Sequence, residues 1–208
     1  AMRSAARHGQ LEILQWLHQR TNCAEVCTTS VMDAALVGGH LNVAKWLLGH
    51  CSKGCSAYGL QYAAQYGYLP LLQWADIHFS DQFDSSVMDE AACGGQLEVV
   101  KWLHDHRSDG CTTRAMDTAA GHGHMDVVKW LHANRTEGCS QKAMDWALEL
   151  CQLDAVKWLH ENKSLPFFRS AMYFAARGGT LLDIVHYLEG DRRMEGSGWG
   201  VAAAAEKG

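Results

Sequence analysis

Two prolines in 208 residues are too few to interrupt the chain, so long stretches are free to be helical. No apolar run approaches the roughly 18 residues a membrane helix needs, so no membrane partner is expected. A surplus of base is missing too. Lys and Arg number 18 against 23 Asp and Glu, for a formal net charge of −5. That balance lacks the basic stripe of a nucleic-acid binder. The opening AMRSAARHGQLEIL has neither an apolar signal core nor a small-residue cleavage site, so a cytoplasmic or nuclear location is expected. No Ser/His/Asp set, phosphate loop or paired-carboxylate motif stands out. The chain is therefore read as a non-enzyme that needs no cofactor and no metal.

What the sequence does have is a period. With position 1 at Val31, equivalent residues fall at Gly59, Val87, Ala115, Ala143 and Ala171, 28 residues apart each time. An earlier copy begins at Ala1, with two extra residues near Thr21–Val26. Two copies show the pattern well: VMDEAACGGQLEVVKWLHDHRSDGCTTR (87–114) and AMDTAAGHGHMDVVKWLHANRTEGCSQK (115–142). Residues 1–195 thus read as seven copies of one helical hairpin, and 196–208 as a tail or partial eighth copy near Gly200. A hairpin this short cannot bury both its faces, and stacking solves that, so an all-α solenoid is expected.

Inside each period, the small or apolar positions 2, 5, 6 and 9 (Met116, Ala119, Ala120 and Gly123 in one copy) have helical spacing. Position 9 suits a left-handed helix end. Ser30 with Asp33, and Ser86 with Asp89, match an S-x-x-D helix start. The second helix carries Trp16, Trp46, Trp74, Trp102, Trp130 and Trp158 at one position, with Tyr187 in the last copy. Its apolar positions are so many that it is expected between neighbours in a layer, with the tryptophans in the core.

The run A-A-x-x-G-H-L-x-V-V-K-W-L resembles the core of an ankyrin repeat, carried by Ala35–Leu47 and Ala119–Leu131. The resemblance spans about residues 1–190. The family's usual period is about 33. The shortfall here falls between helix pairs, where the family carries a β-hairpin finger, so a fingerless variant is expected. The resemblance implies a scaffold that contacts partners through the concave, first-helix side.

Several features invite chemistry and are read as structure. Cys27, Cys55, Cys111 and Cys139 share one position with Phe83 and Phe167; a site that takes Cys or Phe is an apolar slot. Adjacent repeats lie about 8–10 Å apart, beyond disulfide reach, so free thiols and a reducing compartment are expected. The doublets Cys23/Cys27 and Cys51/Cys55 match no usual zinc-finger spacing. His50, His78 and His106 share position 20 with Asn134 and Asn162, residues that tolerate the left-handed helix end. Asp33, Asp89, Asp117 and Asp145 lie in a first helical turn, where an acid complements the dipole.

Positions that vary between copies are where function is sought. On the first helix these are 4, 7 and 8, which share a face. The contact residues expected there are Tyr62, Gln65, Tyr66, His122, Trp146, Glu149, Leu150, Phe174 and Arg177. Connector residues Tyr58, Arg114, Lys142 and Arg169 rank second. Aromatics with scattered charge are what interface hot spots favour. The expected function is therefore protein–protein interaction by a monomeric scaffold. A passive structural spacer within a larger protein is the alternative.

Overall fold

A computed structural model describes residues 1–20, 27–51, 53–163 and 187. The hairpin expected from 171, the insertion near 21–26 and the tail from 196 lie outside the described residues. Twelve helices are described: α1 (Met2–Arg7), α2 (Leu11–Arg20), α3 (Thr29–Val37), α4 (Leu41–His50), α5 (Ala57–Gln65), α6 (Leu69–Phe79), α7 (Ser85–Cys93), α8 (Leu97–His106), α9 (Thr113–Gly121), α10 (Met125–Asn134), α11 (Gln141–Glu149) and α12 (Leu153–Lys163). A 3-10 turn, Ser80–Gln82, follows α6. No strand occurs among the described residues, and the connectors carry no finger there. The all-α repeat solenoid expected from the period is the architecture observed.

The layering differs from the expectation in one respect. The odd-numbered helices, first in each pair, pack extensively against their successors, whereas neighbouring even-numbered helices touch sparsely. It is thus the first helix that sits between neighbours. Small side chains explain this: Ala35, Ala63, Ala64, Ala91, Ala92, Ala119, Ala120 and Ala147 have no exposed surface. At Gly59 a Cβ would lie only 2.9 Å from Asp33 Oδ1 and from Leu36 Cδ1. Closer stacking on one layer than on the other bends the array toward the first-helix side. Met32, Met116 and Met144 from the first helices, with Leu47, Leu72, Leu131 and Leu159 from the second, fill the space within and between pairs.

Each turn inside a pair is a Schellman motif. In the second pair the His40 N–H donates to the Ala35 carbonyl at 3.0 Å and the Gly39 N–H to that of Leu36 at 3.1 Å. Gly39 has φ +74°, where a side chain is strained. It is needed twice over, because a Cβ there would meet the Tyr68 ring of the next pair at 2.7 Å. The sixth turn keeps the same geometry with Cys151 at φ +58°.

Two polar ladders join successive pairs. In the first, the residue after the turn reaches back to a carbonyl at the end of the previous first helix. His40 Nε2 donates to the Arg7 carbonyl at 3.1 Å, Gln96 Nε2 to that of Gln65 at 3.2 Å, and His124 to that of Cys93. In the second, a first-helix aspartate accepts two bonds from the cap residue of the next first helix. Asp89 takes the Thr112 N–H at 2.8 Å and its hydroxyl at 2.6 Å. Asp117 takes those of Ser140 at 2.7 and 2.5 Å, and Asp33 those of Ser56 at 2.8 Å each. The aspartates were expected to serve their own helix dipole; they tie the next repeat instead. Ser30 and Ser86 do not start helices either. Each helix begins one residue before them, and the capping side chains are Asp84, Thr112 and Ser140, which accept from Ser86, Arg114 and Lys142 N–H groups.

The second helices end as a third pattern. His50 and His106 donate Nδ1–H to the Trp46 and Trp102 carbonyls at 2.8 and 3.0 Å. Asn134 and Asn162 do the same to Trp130 and Trp158. Position 20 therefore caps by a side-chain bond and not by a left-handed backbone, since Cys151 is the one non-glycine with positive φ among the described residues. The tryptophans are not core. Trp46, Trp74, Trp102, Trp130 and Trp158 are half-buried along the outer edge and Trp16 is exposed. A histidine from the preceding pair meets the ring edge-on: His18 on Trp46, His104 on Trp130 and His132 on Trp158, at 5.1–5.2 Å.

Cys27 and Cys51 form a disulfide with Cα atoms 5.6 Å apart, which corrects the expectation of free thiols. The spacing argument holds for equivalent positions in neighbouring repeats. These two cysteines instead flank one antiparallel pair, Cys27 just ahead of α3 and Cys51 just after α4, so they meet at the same end. The inference to a reducing compartment loses its premise.

Candidate interaction face

The variable positions of the first helices do share a side, but not an unbroken surface. Ala34 and Thr118 at position 4 are buried, and the Thr118 hydroxyl donates to the Arg114 carbonyl within its own helix at 2.8 Å. Gly121 is covered by Trp146, whose Cβ would lie 2.8 Å from a Cβ at that glycine. What remains exposed falls into two patches, one on the third pair and one across the fifth and sixth.

The first patch is a row of tyrosines along α5 and its turn. Ring centroids are 4.6 Å apart for Tyr58–Tyr62, 6.2 Å for Tyr62–Tyr66 and 6.0 Å for Tyr66–Tyr68. Tyr58 and Tyr66 are each about half exposed, at 51% and 52%, while Tyr62 and Gln65 are half-buried. The Tyr62 hydroxyl is pushed to a higher pKa by its hydrogen bond with Tyr58. Gln65 leans on Cys93, with Nε2 3.9 Å from Sγ. The row runs into an open pocket of about 130 Å³ lined by Tyr58, Arg3, Arg7, Asp33 and Val37. The i, i+4 spacing of Tyr58, Tyr62 and Tyr66 builds the row. Tyr58, ranked second from sequence because it lies near a connector, belongs at its head.

The second patch holds His122, Trp146, Glu149 and Leu150. His122, Glu149 and Leu150 are exposed and Trp146 is half-buried. Lys142 Nζ lies 6.0 Å over the Trp146 ring. The His122 ring stacks on His124 at 6.0 Å, and its Nδ1 is bonded to the Thr118 carbonyl at 2.8 Å. Phe174 and Arg177, with Arg169, lie outside the described residues.

Between the patches one ion pair joins neighbouring first helices. Arg114 bridges to Glu90 at 2.8 Å. The connectors are clasped by arginines that sequence reasoning passed over. Arg107 binds Asp109 and Asp76, donates to the Ser80 carbonyl at 3.0 Å, and lies 4.7 Å over the Phe83 ring. Arg135 pairs with Glu137 and contacts His104. The Arg135 guanidinium holds the Glu137 carboxyl down at about 2. The Arg at the same position of two consecutive copies was the available signal.

Four of the free thiols are poor nucleophiles. Burial pushes Cys55 up to about 12 and Cys111 up to about 11, and raises Cys93 and Cys139. Among the described residues the arrangement offers contact surface.

Comparison with known proteins agrees with the architecture. Residues 88–132 match the family described as ankyrin repeats (many copies). Curated proteins give no match. Among 46 matching solved chains is the crystal structure of the human ASB11 ankyrin repeat domain. It is 18% identical, with a TM-score of 0.58 over 77% of this chain and 82% of that one. The chain thus has the fold of an ankyrin-repeat domain, and residues 88–132 also match the sequence pattern of that family.

Proposed function

We propose that the chain is a protein-binding scaffold whose main contact surface is the tyrosine row of α5 with the flanking Arg3 and Arg7. Ankyrin repeats generally mediate protein–protein interaction, and fold and family support that coarse statement. The single observation carrying the finer one is the row itself. Large aromatic rings that a solenoid has no packing use for stand half in solvent on the inner side, held in order by one another. Tyrosine buries much area at low entropic cost and is favoured at hot spots. The Trp146/Glu149/Leu150 patch with His122 is the second contact region, and Phe174 and Arg177, at the same variable repeat positions of the following copy in the sequence, are assigned to it as well. No helix among the described residues is long and apolar enough to cross a membrane. The spacer reading is weaker because a spacer gains nothing from exposed Tyr58 and Tyr66.

The test compares wild type with a Tyr58/Tyr62/Tyr66 triple alanine variant and a Trp146/Leu150 double alanine variant, each checked for helical content by circular dichroism. Partners captured from source-cell extract are identified, and affinities measured with purified partner. The triple variant is expected to weaken binding at least tenfold and the double variant less. Equal affinity for all three would reject this face.

A further inference from the structure

The seam between the first two helix pairs gathers three groups of zinc-binding chemistry. His18 comes from α2, Cys27 from the entry to α3 and Cys51 from the end of α4. One ligand atom from each lies within 4.8 Å of the others. Cys27 and Cys51 are buried at 4% and 7% exposure and His18 is half-buried. The imidazole is oriented by two rings, edge-on to Trp46 at 5.1 Å and to His50 at 5.7 Å. A tetrahedral zinc with sulfur ligands at about 2.3 Å and nitrogen at about 2.0 Å needs its ligand atoms roughly 3.5–3.8 Å apart. The three groups meet that requirement with small side-chain rotations once the sulfurs are separate.

We propose that this cluster is a redox-switched zinc site, with the disulfide as its empty, oxidised form. Two small-molecule thiols reduce the Cys27–Cys51 bond, leaving two protein thiols and one small-molecule disulfide. Zinc then displaces the two thiol protons and is held by both thiolates and one His18 ring nitrogen, three of its tetrahedral positions. The two thiolates cancel the ion's charge, which a half-buried seam requires. In reverse, a small-molecule disulfide takes two electrons from the thiolates. The protein S–S bond forms, the zinc ion leaves, and two small-molecule thiolates are released. The spacing of the sequence doublets fits no finger, because the histidine that completes the set lies upstream in another helix pair.

Cobalt(II), whose thiolate complexes are coloured, is the probe. The 208-residue chain, reduced with a phosphine, is titrated anaerobically with the metal, then with zinc in competition. One equivalent of tetrahedral cobalt–thiolate absorption is expected, displaced by zinc, with none in the oxidised chain. Cys27→Ser and Cys51→Ser should abolish it, His18→Ala should weaken binding at least tenfold and alter the ligand-field bands, and Cys139→Ser should leave it unchanged. Circular dichroism checks each variant for folding, and the wild-type titration stands without them. Absence of thiolate absorption in the reduced wild type overturns the proposal, as does its survival in folded Cys51→Ser.

Discussion

Asp117→Ala tests the inter-repeat ladder most directly. Asp117 is 2% exposed and accepts two bonds from Ser140, at 2.7 Å from the N–H and 2.5 Å from the hydroxyl. Bonds to a charged acceptor contribute about 1.5–3 kcal/mol each. Against this stands the cost of burying the carboxylate, which raises its pKa despite the Ser140 bonds. The net expectation is a loss of about 2–3 kcal/mol, mostly from the Ser140 N–H left without a partner. Asp117→Asn keeps an acceptor for that N–H and should cost less than about 1 kcal/mol. Because the folded pKa is raised, the part of the stability linked to protonation of this carboxyl is complete below the unfolded value of 3.8 and is lost as pH rises through the folded one, while the Ser140 bonds themselves remain. The Asn penalty should therefore shrink with rising pH. Urea unfolding followed by circular dichroism reads each variant, and a cycle with Ser140→Ala should show about 1–2 kcal/mol of coupling. An Ala penalty below about 0.5 kcal/mol, or additivity with Ser140→Ala, would refute the ladder as a stabilising contact.

Two further outcomes are expected. Cys151→Gly relieves a side chain at φ +58° and should raise stability by about 0.5–1 kcal/mol in the same assay; destabilisation would mean the thiol is held by contacts that outweigh its backbone. Glu137 is held at about 2 by Arg135, from an ordinary 4.5, so its contribution is present above the ordinary value and fades as pH falls toward the lowered one. Since one pKa unit corresponds to about 1.4 kcal/mol and the side chain is 25% exposed, solvent screening leaves roughly 1–2 kcal/mol at pH 7. Glu137→Gln should show that deficit at neutral pH and none near pH 2, and a constant deficit across the range would contradict the assignment.

The fold was legible because a period needs no knowledge of contacts. Ala, Gly and Trp recur at fixed offsets, and stacking is the one way to bury the small and aliphatic positions of every copy. The layer order was not legible, since apolar count favours the second helix and only the size of Ala119 and Ala120 betrays close approach by the first. The aspartate ladder had a readable signature. Asp33, Asp89 and Asp117 each precede Ser56, Thr112 or Ser140 by 23 residues, and where that later position is Asp84 the earlier one is Gln61. Two acids would repel there, and Gln61 Nε2 instead donates to Ser86 Oγ at 2.6 Å. Tyr62 and Tyr66 were found as variable positions; their union with Tyr58 was missed because it was assigned to a connector. The disulfide leaves no mark in the repeat register, because Cys27 and Cys51 occupy different repeat positions and meet only through the antiparallel packing of one helix pair.

The ladder has a consequence for how such an array can change length. Both partners of each aspartate rung lie inside one 28-residue period, although the bond joins two helix pairs. Gaining or losing a whole period moves acid and hydroxyl together, so no rung is orphaned. The other ladder crosses the period boundary, but its acceptor is a backbone carbonyl, which every residue supplies. Unequal exchange between copies of the coding sequence would therefore leave the junctions matched, and the surface tyrosines could be duplicated, lost or moved along the array without remaking the joints that hold it.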